Sequence, residues 1–260
     1  LNMLCSADNL AASRNSRKWI AHKGVEVGQQ VKPHDEAQSP SQRMEDLRAR
    51  LEAAAQRAGR DAAEVTTLAI SKTKPVEAIT PFLDLGHRCF GENRVQEANE
   101  KWPSLRAQYD AIELHLVGPL QSNKVEQAVA LFDVIQTLDR PKLAAALAKA
   151  GDKHGNLPAL YIQVNTGEEP QKAGIAPTEL AAFAAQCRDG YSLQIDGLMC
   201  IPPADQAAGP HFALLNKLAG EIGVEKLSMG MSGDFEIAIA QGATHIRLGT
   251  TLFGPRNERD

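Results

Sequence analysis

The sequence predicts a single closed (β/α)8 barrel of parallel strands, and three observations carry that reading. Eight short apolar, β-branched runs recur after residue 40, each followed by a helix-length segment or a loop. They occupy about 215 residues, near the lower end of the range for this closed fold. No G-x-G-x-x-G follows the first run, so the open doubly wound sheet, the structural alternative, loses its main support.

The elements follow in order. In MEDLRARLEAAAQRAGRD, from Met44, the residues Leu47, Leu51, Ala54 and Ala55 recur at helical spacing until Gly59 marks a stop. VTTLAIS (65–71) is the first strand, and Pro75 opens the helix-like VEAITPFLDLG. RCFG (88–91) precedes ENRVQEANEKW, and ELHLVG (113–118) leads to the SNKVEQAVALF helix. DVIQTL (133–138) is followed by RPKLAAALAKAG, and ALYIQVN (159–165) by PTELAAFAAQCRDG. LQIDGLMCI (193–201) precedes HFALLNKLAGEIG. KLSMGMS (226–232) opens DFEIAIAQGA, and THIRLGTTLFG (244–254) is the eighth run. Strands alternating with helices give right-handed βαβ units and hence a parallel sheet.

Composition narrows the function classes. The chain has 260 residues with 28 Lys+Arg against 32 Asp+Glu, a formal net charge of −4, and only 5% aromatics. That balance is a poor electrostatic match for nucleic acid. No stretch approaches the ~18 uninterrupted apolar residues of a membrane span, so a soluble, cytoplasmic protein is expected. Residues 1–40 are polar and aperiodic, without the apolar core of a secretory signal, and read as a disordered extension ahead of a barrel domain over 41–260. The four cysteines (Cys5, Cys89, Cys187 and Cys200) lie far apart with no C-x-x-C pair, so reduced thiols and no metal are expected.

In such barrels ligands bind at the carboxyl ends of the strands, with phosphate commonly held after strands seven and eight. Strand one ends in Ser71-Lys72-Thr73-Lys74-Pro75, where two-residue alternation puts Leu68, Ile70 and Lys72 on one face. With Leu68 and Ile70 inside, Lys72 points into the rim, where partial burial favours the neutral amine that an aldehyde requires. Strand seven ends near Ser232, expected to cap the next helix and to offer its hydroxyl and free amides to an anion. Strand eight ends in Arg247-Leu248-Gly249-Thr250, where Gly249 admits a ligand close to the backbone and Arg247 lies deeper on the same side. An amine, an arginine and a two-part phosphate site together fit one ligand, pyridoxal 5′-phosphate.

Six motifs then carry a resemblance: LAISKTKP (68–75), FGENRVQE (90–97), HLVGPLQSNK (115–124), GLMCIP (197–202), LSMGMSGDFEIAIAQGAT (227–244) and IRLGTTLFGPR (246–256). From about residue 41 onward the sequence resembles the pyridoxal phosphate homeostasis proteins, relatives of the N-terminal barrel of bacterial alanine racemases (fold type III). A modest departure is Arg94, where the family often has Tyr. The resemblance implies that Lys72 forms the internal aldimine with pyridoxal 5′-phosphate. It implies that Ser232 and the amides of Gly249 and Thr250 hold the phosphate, that Arg247 faces the pyridine nitrogen, and that Asn93 and Met199 line the ring pocket. His115 and the 118–124 loop are also expected at the mouth, without a role; a strand histidine is more often a packed polar residue than a catalyst.

A guanidinium only donates, so a ring nitrogen facing Arg247 accepts and stays unprotonated, which weakens the cofactor as an electron sink. Racemases of the related fold add a tyrosine base from a further domain. Here ten residues follow Thr250, leaving no room for that domain, and none of Tyr109, Tyr161 and Tyr191 stands out as an opposing base. The reading is therefore a monomeric protein that binds pyridoxal phosphate for vitamin B6 homeostasis and delivers it to apo-enzymes, with no catalytic residue assigned. The alternatives are a small racemase or lyase dependent on the cofactor, and a barrel enzyme for phosphorylated sugars without it.

Overall fold

The computed structural model describes residues 38–255. The extension expected over 1–40 lies outside the described residues except for 38–40. Helix α1 (Pro40–Arg57) begins ahead of Met44, because Ser39 and Gln42 form a capping box and Pro40 occupies the first turn. Its buried stripe of Leu47, Leu51, Ala54 and Ala55 packs on α8 (Phe235–Ala240) and α9 (Thr250–Phe253). Arg50 reaches Glu236 of α8 at 2.6 Å. Because α9 is a single turn, α1 supplies much of the helical cover where the last strand returns to the first.

The strands are β1 (Thr66–Ile70), β2 (Cys89–Glu92), β3 (Glu113–Leu116), β4 (Val134–Leu138), β5 (Ala159–Val164), β6 (Gly197–Cys200), β7 (Lys226–Ser228) and β8 (His245–Leu248). All pair in parallel in chain order, and β8 closes on β1 with Leu68 beside Arg247. Helices α2 (Val76–Asp84), α3 (Val95–Arg106), α4 (Val125–Leu131) and α5 (Pro141–His154) cross between successive strands. Between β5 and β6 run α6 (Leu180–Ala185) and a π turn over Gln186–Gly190, and α7 (Ala208–Ile222) joins β6 to β7. The closed eight-stranded barrel is the fold the sequence predicts.

Three apolar runs are much shorter as strands than their length suggests. Only Gly197–Cys200 of 193–201, only Lys226–Ser228 of 226–232 and only His245–Leu248 of 244–254 are extended. In the last case Gly249 turns the chain into α9, whose Leu252 is buried, so that apolar stretch serves a helical turn rather than more strand.

Alternation divides each strand between two environments. One face, including Phe90, Leu114, Leu116, Ile135, Ile162, Leu198, Ile246 and Leu248, joins the continuous apolar layer under the helices. The other fills the lumen, where buried Leu68, Tyr161 and Met199 mix with His115, Gln136, Ser228 and Arg247. Buried polar groups must be hydrogen-bonded, and these are bonded to one another. Among the described residues, no helix is long and apolar enough to cross a membrane.

Candidate functional site

A cavity of ≈ 290 Å³ opens at the carboxyl ends of the strands. Lys72, Asn93, Ser232, Arg247, Gly249 and Thr250 all line it, although they span much of the chain. Three cations (Lys72, Lys74 and Arg247) face this space, and among the described residues no Asp or Glu lines it. Such a wall selects an anion.

The Lys72 segment leaves β1 as a loop held from below. Lys101 of α3 donates to the carbonyls of Ser71 (3.0 Å) and Lys74 (3.2 Å), one on each side of Lys72. Its ammonium is balanced by Glu92 at 2.7 Å and Glu97 at 2.8 Å. Glu92 also accepts from Ser71 Oγ (2.7 Å) and from Trp102 Nε1 (3.1 Å) on the same oxygen, Oε1. Its Oε2 has no hydrogen-bond partner among the described residues, and burial pushes the carboxyl above its ordinary range while Lys101 pulls it back. Glu97 accepts from the Thr73 amide at 2.5 Å, which holds Thr73 at φ +61°. Lys72 thus sits on a short, over-determined turn.

Asn93 follows β2 where two loops press together: a Cβ at Gly118 would lie 2.2 Å from the Asn93 carbonyl. Only glycine permits that approach. Arg247 is 5% exposed and forms part of the floor. Its Nη1 donates to Ser228 Oγ and its Nη2 to the Cys200 carbonyl, both at 2.8 Å, so the guanidinium plane is fixed by β7 and β6. Burial lowers its pKa from the ordinary arginine value, yet guanidinium remains protonated across the physiological range.

The opposite wall comes from the loops after β7 and β8. Gly230, at φ +91°, turns the chain so tightly that a Cβ would meet that of Ala238 at 2.5 Å. Ser232 does not cap α8, contrary to expectation, because the helix starts later, at Phe235, with Asp234 in the cap position. Instead Ser232 Oγ accepts from the Thr251 amide at 3.3 Å and ties the two loops together. A Cβ at Gly249 would meet Ile70 only at 3.8 Å, an ordinary contact, and one at Gly233 would meet nothing. The protein's own packing does not demand glycine at either position; the cavity beside them gains the room.

Two expectations are corrected. Met199 is fully buried and lies outside the cavity lining, packed in the lumen layer beside Gln163 and Ser228. His115, expected at the mouth, is buried in the other half of the barrel, with Nδ1 2.8 Å from Gln136 and Nε2 2.5 Å from Glu113. It is a packed polar residue, as its place on a strand suggested. No tyrosine lines the cavity; Tyr161 contacts His245 in the lumen and Tyr109 bonds Asp84 outside it. Sequence reasoning missed the Glu92, Glu97 and Lys101 brace. Its only trace was the i,i+4 spacing of Glu97 and Lys101, which does not show that the pair turns inward beneath β1.

Comparisons with known proteins bear on the fold and the family. Residues 43–257 match the family model described as "Alanine racemase, N-terminal domain". The chain is 42% identical over 231 residues to the pyridoxal phosphate homeostasis protein of Vibrio cholerae, covering 84% of this chain and 97% of the relative. It is 38% identical over 222 residues to that of Escherichia coli, covering 81% and 94%. Among solved structures it resembles PipY of Synechococcus elongatus without pyridoxal phosphate (TM-score 0.75, 38% identity, 83% of this chain and 100% of that one). PipY with pyridoxal phosphate bound superposes at a TM-score of 0.72 with 37% identity, over 83% and 100%. An alanine racemase of Clostridium difficile, at 12% identity and a TM-score of 0.62 over 83% of this chain and 58% of that one, shares the fold. The chain belongs to the pyridoxal phosphate homeostasis protein family, on the barrel of the alanine racemase N-terminal domain.

Proposed function

We propose that this chain binds pyridoxal 5′-phosphate at the barrel mouth, holds it as a Schiff base on Lys72, and acts in homeostasis of the cofactor rather than in sustained turnover. The observation that carries the reading is the cavity wall: Lys72, Lys74 and Arg247 on one cavity with Ser232, and glycines that leave space beside amides. The donor set fits the group at both ends. Ser232 Oγ and the amides of Gly249 and Thr250 suit a phosphate, and Lys72 on the facing loop suits an aldehyde. When bound, the cofactor supplies an electrophilic aldehyde and an electron-accepting ring.

The protein's own residues limit the chemistry open to that group. Arg247 can donate to a ring nitrogen but cannot protonate it, so the ring stays a weak sink. Asn93 borders the ring space, and Met199 supports Arg247's layer from within the lumen instead of lining the pocket. With no tyrosine facing Lys72 among the described residues, racemisation by two opposed bases is not supported.

Borohydride reduction of the loaded full chain, followed by peptide mapping, tests the reading. A stable adduct on Lys72 is expected. No adduct anywhere, with no near-visible absorbance, would leave a phosphate-sugar barrel as the better description. Turnover of amino-acid enantiomers well above that of free cofactor would favour the racemase.

A further inference from the structure

We propose that the amino-terminal end of the barrel is a second site, a single centre for a thiophilic divalent cation of the zinc class, built from Cys89, Glu113 and His115. Cys89 and Glu113 are the first residues of neighbouring strands and are direct register partners, and His115 lies two residues beyond Glu113. Alternation therefore puts all three side chains on the lumen face. Cys89 Sγ lies 3.5 Å from His115 Nε2 and 3.9 Å from Glu113 Oε1.

Those separations are the edges of a coordination tetrahedron. Bonds of about 2.3 Å to sulfur and about 2.0 Å to nitrogen or oxygen, at tetrahedral angles, separate sulfur from its neighbours by roughly 3.5 Å. The Nε2–Oε1 edge, at 2.5 Å, is now a hydrogen bond and must open. Glu113 can do so, because its side chain is 52% exposed at the rim, which also provides the entry path. A thiolate and a carboxylate neutralise a divalent charge, and imidazole completes a mixed sulfur, nitrogen and oxygen set with a fourth position for water. That set selects zinc-like ions over magnesium or calcium, which require oxygen ligands.

Behind the ligands is the support such centres use. Gln136 holds His115 Nδ1 at 2.8 Å and aims Nε2 at Cys89 and Glu113. Gln136 is in turn held by Ser228 Oγ at 2.6 Å, and Ser228 by Arg247. On binding, the thiol proton leaves to solvent and the ring hydrogen moves from Nε2 to Nδ1. The Gln136 amide then turns over, so that its oxygen accepts from Nδ1 and its nitrogen donates to Ser228 Oγ. Ser228 turns its own hydrogen away and accepts from Gln136 as well as from Arg247. The sequence conceals the site because its ligands come from two strands, with Cys89 separated by a whole helix from the other two. The proposal does not rest on the cofactor reading at the opposite end.

Cobalt titration of the reduced, chelator-treated full chain is the test. One Co²⁺ per chain is expected to bind with tetrahedral visible bands and a thiolate-to-cobalt charge-transfer band, and Zn²⁺ should displace it. Cys89→Ser should abolish the charge-transfer band while retaining the wild-type far-ultraviolet dichroism. Cys5→Ser, Cys187→Ser and Cys200→Ser should each retain the band. Glu113→Gln, at the exposed rim, should weaken binding without unfolding the chain, and Gln136→Ala should weaken it by about 10–100-fold. Absence of the band in the wild type, its survival in Cys89→Ser, its loss in Cys5→Ser, or unchanged affinity in Glu113→Gln would overturn the proposal.

Discussion

The two ends of one lumen have opposite character. At the carboxyl end three cations surround a cavity that no carboxylate of the described residues lines. At the amino end Glu113, Cys89 and two histidines are packed against each other, with the His115 and His245 rings 5.9 Å apart. Burial, helped by His115, holds His245 down at about 4, so that ring is neutral at physiological pH. The carboxylates also differ: burial raises Glu92, beneath the mouth, whereas the hydrogen bond from His115 holds Glu113 below its ordinary range. The Arg247–Ser228–Gln136–His115 chain joins the two ends. One end is an open cavity lined by donors, and the other packs its polar groups directly against one another.

The most severe break of this contrast is Lys72→Ala. It should abolish the cofactor's bound absorbance while leaving the thermal transition near that of the wild type, since Lys72 lies on a rim loop and not in the packed layers. Absorbance that survives would move the covalent attachment to Lys74. Trp102→Ala should come next, at about 3–5 kcal/mol of stability by chemical denaturation, because a large buried indole is removed from the apolar layer. It also takes away a donor to Glu92, so cofactor affinity should fall together with stability. A large stability loss with unchanged affinity would show that the Lys72 loop does not need its brace.

Ser232→Ala should weaken cofactor retention by roughly 1–3 kcal/mol, the scale of a hydrogen bond to a charged group. Unaltered affinity by fluorescence titration would assign the phosphate to backbone amides alone. The smallest effect concerns Glu92→Gln. A carboxyl whose folded pKa is raised binds its proton more tightly in the folded state, so its contribution to stability falls as pH rises from the unfolded value, about 4.3, through the folded one. The stability of Glu92→Gln relative to the wild type should therefore improve between acidic and neutral pH. The reverse trend would mean that Lys101's charge outweighs burial.

Much of the molecule was legible from local pattern. The eight β-branched runs and their intervening amphipathic stretches mark every strand, and the LAISKTKP and IRLGTTLFGPR segments bring Lys72, Arg247, Gly249 and Thr250 to one cavity. Ser232 illustrates the limit: its side chain looks like a helix cap in one dimension but bonds the Thr251 amide across a loop. His115 and Met199 show the same limit in depth, since alternation predicts the side of a strand a residue faces but not its height along a closed lumen.

Strand and helix periods are properties of neighbouring residues, so the barrel, its two-faced strands and the amine at the first strand's end were determined by the sequence alone. The lumen's contents depended on closure. Pairing β8 with β1, and the stagger of each strand against the next, decide which side chains from distant segments share a layer. Lys101 reaching back to the Ser71 carbonyl, and Arg247 linked to His115 through two other strands, exist only in that arrangement. A hydrogen bond requires its two atoms within about 3 Å, and only the tertiary structure brings them there.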